Sequence, residues 1–364
     1  MPRAPWHSIQ IRYYDEDKDG LILDGVRPLI ARLGDTVEQP YILRHWRRGP
    51  HLRLNLRATP KAWAEEVLPV ATETLTGYLG EHPSTTVLDE HALLEAHRQL
   101  AVRENDHGPL RPWYPDNTLQ TEPYEDRAHI LGGRRLTDLL DHCHAESTRQ
   151  ALVTLERIRR GQVGRFQVAL ELMFAYAHAS IPPISRGYMS YRSHADSFQA
   201  YCVDRDAVRA SFDTKYREAA GRLREIMLTQ IDAVDHDRTE PHVRDWLAFA
   251  EQLKRVARPL IARGDIDLDF APRTDYKHLH RVDFLEVLKA DPRHNTEILE
   301  SDWFRAHRLG LNILYAHLAR LGISPLQRYL FCHLVACAVE EEFGVSPLKR
   351  ARAFARGVRL PTPG

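Results

Sequence analysis

Cysteine is scarce in this chain: Cys143, Cys202, Cys332 and Cys337 are spread over 364 residues. So few thiols make a poor disulfide framework, and a chain of this length buries enough core without one. Reduced thiols are expected. Lysine is scarcer for its class, with 7 lysines against 43 arginines among the 50 cations. Arginine offers planar donor forks suited to carboxylates and peptide carbonyls, although a GC-rich genome produces the same bias. Charge of one sign is not in excess either, since 50 Asp plus Glu balance the cations. A partner held chiefly by phosphate neutralisation is therefore not expected, and no nucleic acid is read as a ligand. The longest apolar run, Tyr329 to Val339, contains His333 and falls far short of the ~20 residues needed to cross a bilayer. Met1 to Lys18 carries no apolar run behind a basic region, so no secretory signal is read. The expected protein is cytoplasmic, with no membrane partner.

Chemical signatures are equally sparse. No P-loop, dinucleotide-binding glycine motif, nucleophile elbow or H-E-x-x-H occurs, which removes the simple routes to nucleotide, hydrolase or metalloprotease chemistry. Asp15, Asp17, Asp19 and Gly20 match the first half of a calcium-binding loop, but Val26 stands where the bidentate Glu must be, so an exposed acidic turn is the better reading. Cys332, His333 and Cys337, or His278 and His280, supply candidate metal ligands without a second pair at zinc spacing. Neither a metal nor a cofactor is expected.

Apolar residues at 43% and charged residues at 27% leave an ordinary globular composition, enough to bury a sizeable core. His7 to Tyr13 alternates with period two, an acidic turn follows, and Leu21 to Leu33 takes up helical spacing. Tyr41–Arg47 and His51–Arg57 flank Arg48-Gly49-Pro50, which is hairpin punctuation. Thr118–Tyr124 is a further candidate strand within a Pro-rich interruption. Helices are expected at about 62–80, 89–104, 134–160, 163–179, 205–231 and 241–263, with an irregular stretch over 264–295. Leu309 to Leu321 carries a stripe that ends at Gly322, and Ser324-Pro325-Leu326-Gln327 fits a capping box opening a helix closed by Gly344. Ser193, with Asp196 three residues on, reads as another cap. The fold class is therefore α+β: an N-terminal β-α-β-β antiparallel sheet element with a large helical remainder. A single large domain is expected over 1–346, sheet-containing over about 6–125 and mainly helical over about 126–346, followed by a loosely ordered basic tail at 347–364.

The hairpin's second strand is the most informative stretch. Period two places Leu52, Leu54 and Leu56 on one face, toward the core, and His51, Arg53, Asn55 and Arg57 on the other. That second face is either a solvated surface or the floor of a cleft for a peptide or carboxylate, and the pattern alone does not choose.

Trp6-His7-Ser8, Leu21-Ile-Leu-Asp-Gly-Val-Arg-Pro28, Arg44-His-Trp-Arg-Arg-Gly-Pro-His-Leu-Arg53, Arg186-Gly-Tyr-Met-Ser-Tyr-Arg-Ser-His194 and Arg320-Leu-Gly-Ile-Ser-Pro leading into Cys332-His333-Leu-Val-Ala336 follow one another in order. In sequence and spacing they resemble the lantibiotic-dehydratase C-terminal superfamily, and within it the stand-alone thiopeptide pyridine synthases, from Trp6 to about Ser346. The resemblance implies an elimination-domain-like fold. It also implies a cofactor-independent lyase-type macrocyclase: a formal aza-Diels-Alder cycloaddition of two dehydroalanines in a modified precursor peptide, with loss of water and leader peptide to form the central pyridine. The implied partner is that precursor, an azole- and dehydroalanine-containing core with its leader; an Arg-rich surface suits an acidic leader, and a homodimer stays open. Elimination domains of the superfamily use an Arg pair on the strand matching His51–Arg57, and a C-terminal His followed by Asn-Arg. Here Arg53 and His333 match, whereas Asn55 stands for the second Arg and Cys337-Ala338 for Asn-Arg; Arg57 and Arg44 are the cations left to compensate. The alternatives are therefore a glutamate-eliminating lyase and a non-catalytic peptide-binding scaffold.

Proton transfer in such a reaction calls for His and Tyr side chains. His333, Tyr191, His194 and Tyr315 are the candidate catalytic residues, with a satisfied core histidine as the competing reading of His333. Arg44, Trp46, His51, Arg53, Asn55, Tyr188, Ser190 and Asn312 are the candidate substrate-binding residues, and the alternative for the 188–194 segment is a capping and packing cluster. Trp46 and Trp303 are candidates to stack on azole rings. Asn312 and Tyr315 lie on the helix before that of His333 and are expected near it.

Overall fold

A computed structural model describes residues 3–104, 108–126, 128, 133–268 and 282–358. His278, His280 and Pro272, together with the last residues of the expected tail, lie outside them. The described chain falls into two compact units, Met1–Gln162 with Ile266–Ala271 and Ile313–Gly322, and Val163–Asp265 with Pro272–Asn312 and Ile323–Gly364.

The first unit is built on a four-stranded antiparallel sheet of order β2-β3-β1-β4. Its strands are β1 (Trp6–Arg12), β2 (Glu38–His45), β3 (His51–Arg57) and β4 (Thr118–Glu122). The register pairs Ile9 with Leu54 and Ile11 with Leu52, so the alternation seen in the sequence becomes a continuous apolar face. Leu52, Leu54 and Leu56 are fully buried, as their spacing requires. A π-helical turn (Leu21–Val26) runs into α1 (Arg27–Leu33); α2 (Pro60–Ala62), α3 (Leu68–Glu81), α4 (Glu90–Glu104) and α5 (Arg134–Arg159) complete the unit's own helices. Of these, α5 lies along β2, where Thr148 Oγ accepts the Ile42 amide at 3.2 Å. The free edge of the sheet is thereby closed at that point.

The second unit is helical: α6 (Arg165–Ser180), α7 (Ile184–Gly187), α8 (Met189–Tyr201), α9 (Arg205–Asp235), α10 (Pro241–Ala262), α11 (Asp283–Ala290), α13 (Pro325–Phe343) and α14 (Pro347–Ala355), with the start of α12 (Asp302–Arg320). The capping box is present in both halves: Ser324 Oγ accepts the Gln327 amide and Gln327 accepts the Ser324 amide. Gly344 closes α13 in the left-handed conformation, φ 59°. Both ends follow from local chemistry that the sequence states outright.

Three expectations fail. Ser193 is no cap, because α8 begins at Met189 and the serine falls inside it. The irregular stretch contains α11, whose Phe284 packs with Val282, Ala200 and Ala351. That same cluster orders the start of the expected tail: Ser346 caps α14 by accepting the Lys349 amide, and Ala351 is buried. An apolar anchor and a local cap outweigh the basic composition of the segment.

Gly187 sits where α7 meets α6 so closely that a Cβ would lie 1.9 Å from the Ala177 carbonyl oxygen. Gly80, within α3, has open space around it. Gly187→Ala is therefore expected to lower unfolding stability by about 2–3 kcal/mol or more through forced backbone shifts. Gly80→Ala is expected to raise it by roughly 0.5–1 kcal/mol. Urea midpoints of the two variants check both signs.

Candidate functional site

The first unit carries a buried polar face opposite its leucines. Ser8, Gln10, Arg12, His51, Asn55 and Arg57 are each under a tenth exposed, so the solvated reading of this face is excluded. Arg12 organises it. Its guanidinium donates to Gln120 Oε1 (3.0 Å), to the carbonyls of Arg47 (3.1 Å), Arg48 (3.3 Å) and Gly49 (3.0 Å), and to Gln10. The hairpin turn, where Arg48 and Gly49 have φ of 61° and 101°, is held from beneath by one side chain of β1. Burial lowers the Arg12 pKa to about 10, which still leaves the group charged at neutral pH.

His51 is fully buried, and burial followed by Arg12 and Arg53 holds its pKa well below the usual value. Its Nδ1 lies 2.6 Å from Arg12 Nη1 and 2.8 Å from the Gly49 carbonyl, and its Nε2 accepts from Arg53 Nε (3.2 Å). Both ring nitrogens are engaged within the chain, and His51 braces Arg53. Arg53 in turn donates to Glu125 Oε2 at 3.2 Å, and Arg47 pairs with the other oxygen of the same carboxylate. Arg44 is tied to the Glu16 carbonyl (3.1 Å), Asp19 (3.4 Å) and the Arg320 carbonyl (3.5 Å). Trp46 stacks on His45 and packs against His97, with centroids 5.5 and 5.0 Å away, so its ring belongs to an aromatic cluster. Tyr315 is buried.

In the second unit, α8, α9 and α13 enclose His333, which has no exposed surface. Arg192, just outside the set chosen from the sequence, is its organiser. The guanidinium makes a bidentate pair with Glu340 (2.8 and 2.8 Å) and reaches Asp196 (3.3 Å), Cys337 Sγ (3.2 Å) and His333 Nδ1 (3.4 Å). Burial pulls its pKa down, but Glu340 and Asp196 outweigh that and hold it above the ordinary range.

Asp213 Oδ1 lies 2.9 Å from His333 Nε2, and Cys337 Sγ lies 3.4 Å from it. Asp213, His333 and Cys337 present ligand atoms within 4.8 Å of one another, a donor set that a divalent metal accepts in principle. The proton inventory decides otherwise. Arg192 only donates, so Nδ1 must accept, and Nε2 carries the proton and gives it to Asp213. A metal on Nε2 would force that proton onto Nδ1, against Arg192. The trio is a hydrogen-bonded cluster.

Burial, then Arg192, lowers the His333 pKa to about 4, although Asp213 opposes the shift. The imidazole is neutral at pH 7 with both nitrogens engaged. Tyr191 is enclosed as well: its ring is 1% exposed and its hydroxyl donates to the Met173 carbonyl at 3.0 Å. Tyr188 is buried with its hydroxyl unpartnered among the described residues. His194 is half-buried, and burial with Arg328 and Arg308 nearby lowers its pKa to about 4. Asn312 and Trp303 are exposed. The hydrogen-bond and ion-pair partners of His333 among the described residues of its unit come from α8, α9 and its own helix, and Asn312 is not one of them. The buried arginines Arg12, Arg192 and Arg320 escaped the reading of the sequence. An available signal was their position on otherwise buried faces: Arg12 continues the β1 alternation, and Arg192 and Asp196 are one turn apart on α8.

A family model described as lantibiotic biosynthesis dehydratase C-term matches residues 6–339. A search of curated proteins finds no match. Among solved structures, the pyridine synthase TbtD from thiomuracin biosynthesis superposes with a TM-score of 0.75 at 31% identity, over 95% of this chain and 100% of that one. TsrL gives 0.69 at 18% identity, over 99% of this chain and all of the other, and supports the fold alone.

Two outcomes test the Arg192 cluster. Arg192→Met leaves Glu340 buried without its cation and should cost about 3–5 kcal/mol, whereas Arg192→Met with Glu340→Leu should recover most of that loss. His333 binds protons more weakly in the folded chain (pKa about 4) than in the unfolded one (ordinary value 6.5). Its contribution is therefore complete above pH 6.5 and declines as pH falls toward 4. Urea unfolding between pH 7 and 4 should show a shallower decline for His333→Gln than for the parent chain; equal slopes would contradict the assignment.

Proposed function

The chain belongs to the lantibiotic biosynthesis dehydratase C-terminal family, and on that premise we propose that it is a thiopeptide pyridine synthase. The observation that carries this reading is the match to the pyridine synthase TbtD, 31% identical over 95% of this chain. Its substrate is a precursor peptide already bearing dehydroalanines and azoles. Two of its alkenes are joined in a formal aza-Diels-Alder cycloaddition, water is lost, and the leader departs as a carboxamide to leave a pyridine at the macrocycle junction. The chemistry needs a peptide held with its alkenes adjacent and the connecting amide polarised.

The geometry also bears on the competing lyase. A glutamate-eliminating site needs cations free to take a departing carboxylate. Here Arg53 and Arg47 already share the chain's own Glu125, Arg57 lies over the Trp6 ring and bonds Gln39, and Arg44 is committed to the acidic turn. Asn55 is neutral, and Cys337 spends its sulfur on Arg192. These occupied or missing cations support cyclisation over elimination. Tyr188, Ser190, His194 and Asn312 remain the groups proposed to meet the substrate, with His333 positioning Asp213 from behind.

Incubation with a synthetic peptide carrying a leader and two dehydroalanines, with no metal or nucleotide added, should give a macrocycle and a free leader carboxamide by mass spectrometry. Dehydroalanine formation from a glutamylated peptide, with no macrocycle, would move the assignment to the lyase. Unchanged masses in both mixtures would leave a binding scaffold.

A further inference from the structure

Apart from His333, the second unit contains another ordered hydrogen-bond series, across α6, α8 and α12. The His307 ring is 2% exposed and stacks on Tyr176, centroids 5.5 Å apart at 11°. Its Nδ1 lies 2.8 Å from Ser180 Oγ and its Nε2 lies 3.0 Å from Ser190 Oγ. A neutral imidazole has one donor and one acceptor, so the two serines must take opposite parts. Tyr176 closes the far side of the ring, where its hydroxyl donates to the His307 carbonyl at 3.0 Å. Whichever way the proton runs between His307 and Ser190, the Ser190 oxygen keeps at least one lone pair to accept a further donor.

Ser190 is also the accessible end of the series. It is half-buried in the first turn of α8, while Tyr176 and His307 are sealed. Burial lowers the His307 pKa to about 3, assisted by Lys254 from α10 and His194 from α8, with the Tyr176 phenol on its α6 side. The ring therefore stays neutral at ordinary pH. Resting on the pyridine synthase reading, we infer that Ser190 Oγ is the acceptor that holds the amide N–H of the reacting dehydroalanine, and that His307 is the residue that positions it. Holding that proton raises the electron density on nitrogen that the imidic form of the amide requires, and no bond is broken at Ser190.

The test is single-turnover cyclisation of the bis-dehydroalanine peptide with melting temperatures measured on the same preparations. Ser190→Ala should lower the rate about 10²-fold, the scale of losing one preorganised polar contact to a transition state, with a melting temperature within a few degrees of the parent. Ser190→Cys, close in size but a weak acceptor, should show a similar loss and guards against a folding failure of the alanine variant; Ser190→Thr should restore most of the rate. His307→Phe keeps the stack on Tyr176 and should lower kcat with little change in KM. Cyclisation by Ser190→Ala and Ser190→Cys at the parent rate would overturn the role of Ser190 while leaving the pyridine synthase reading intact. A parent enzyme that produces no macrocycle would remove both.

Discussion

A guanidinium taken out of water must find an acceptor for nearly every N–H, and this requirement shapes both units. Arg192 meets it with Glu340, Asp196, Cys337 and His333. Two helices distant in sequence, α8 and α13, are thereby fixed in register around one cation. The pair is not a simple source of stability, since desolvation offsets much of the attraction. Its effect is specificity of arrangement: Arg192 dictates the tautomer of His333, the tautomer dictates that Nε2–H points to Asp213, and the Asp213 carboxylate is presented at a half-exposed position. Arg12 does the same in the first unit, where one β1 side chain holds the hairpin turn and its aromatic partner Tyr114 lies 4.6 Å below.

The two networks show how a chain with no recognisable catalytic signature still orders polar groups in its interior. Neutral histidines are the common element. His51, His307 and His333 are all buried, all have lowered pKa values, and each engages neighbours through both ring nitrogens. They orient Arg53, Ser190 and Asp213 respectively. A peptide cyclisation driven by positioning and polarisation, with little charge to transfer, suits neutral orienting groups better than strong bases.

Much of this fold was legible in the sequence. Period two in His7–Tyr13 and His51–Arg57 gave the strands and their buried leucines, and the Ser324 capping box and Gly344 marked α13 at both ends. Those features are local, decided by spacing and backbone chemistry. The helix over Pro347–Ala355 was legible too, since Ser346-Pro347 is a start signal, but basic composition masked it. The site was less legible because its determinants are long-range. Arg192 and Glu340 are 148 residues apart, and Ser190 and His307 are 117 apart; no periodicity connects them. His333 was found through family resemblance, whereas its role as an orienting group follows only from what surrounds it.

The central claim is that this chain builds a pyridine from two alkenes of one peptide. A substrate labelled with carbon-13 at both dehydroalanine methylene carbons, followed by NMR during turnover, tests it at the reacting atoms. Loss of both alkene signals with the growth of two mutually coupled saturated carbon signals, which become two aromatic signals once water and leader have left, is the predicted result. Persistence of both alkene signals while the peptide is bound at saturating enzyme would contradict the account.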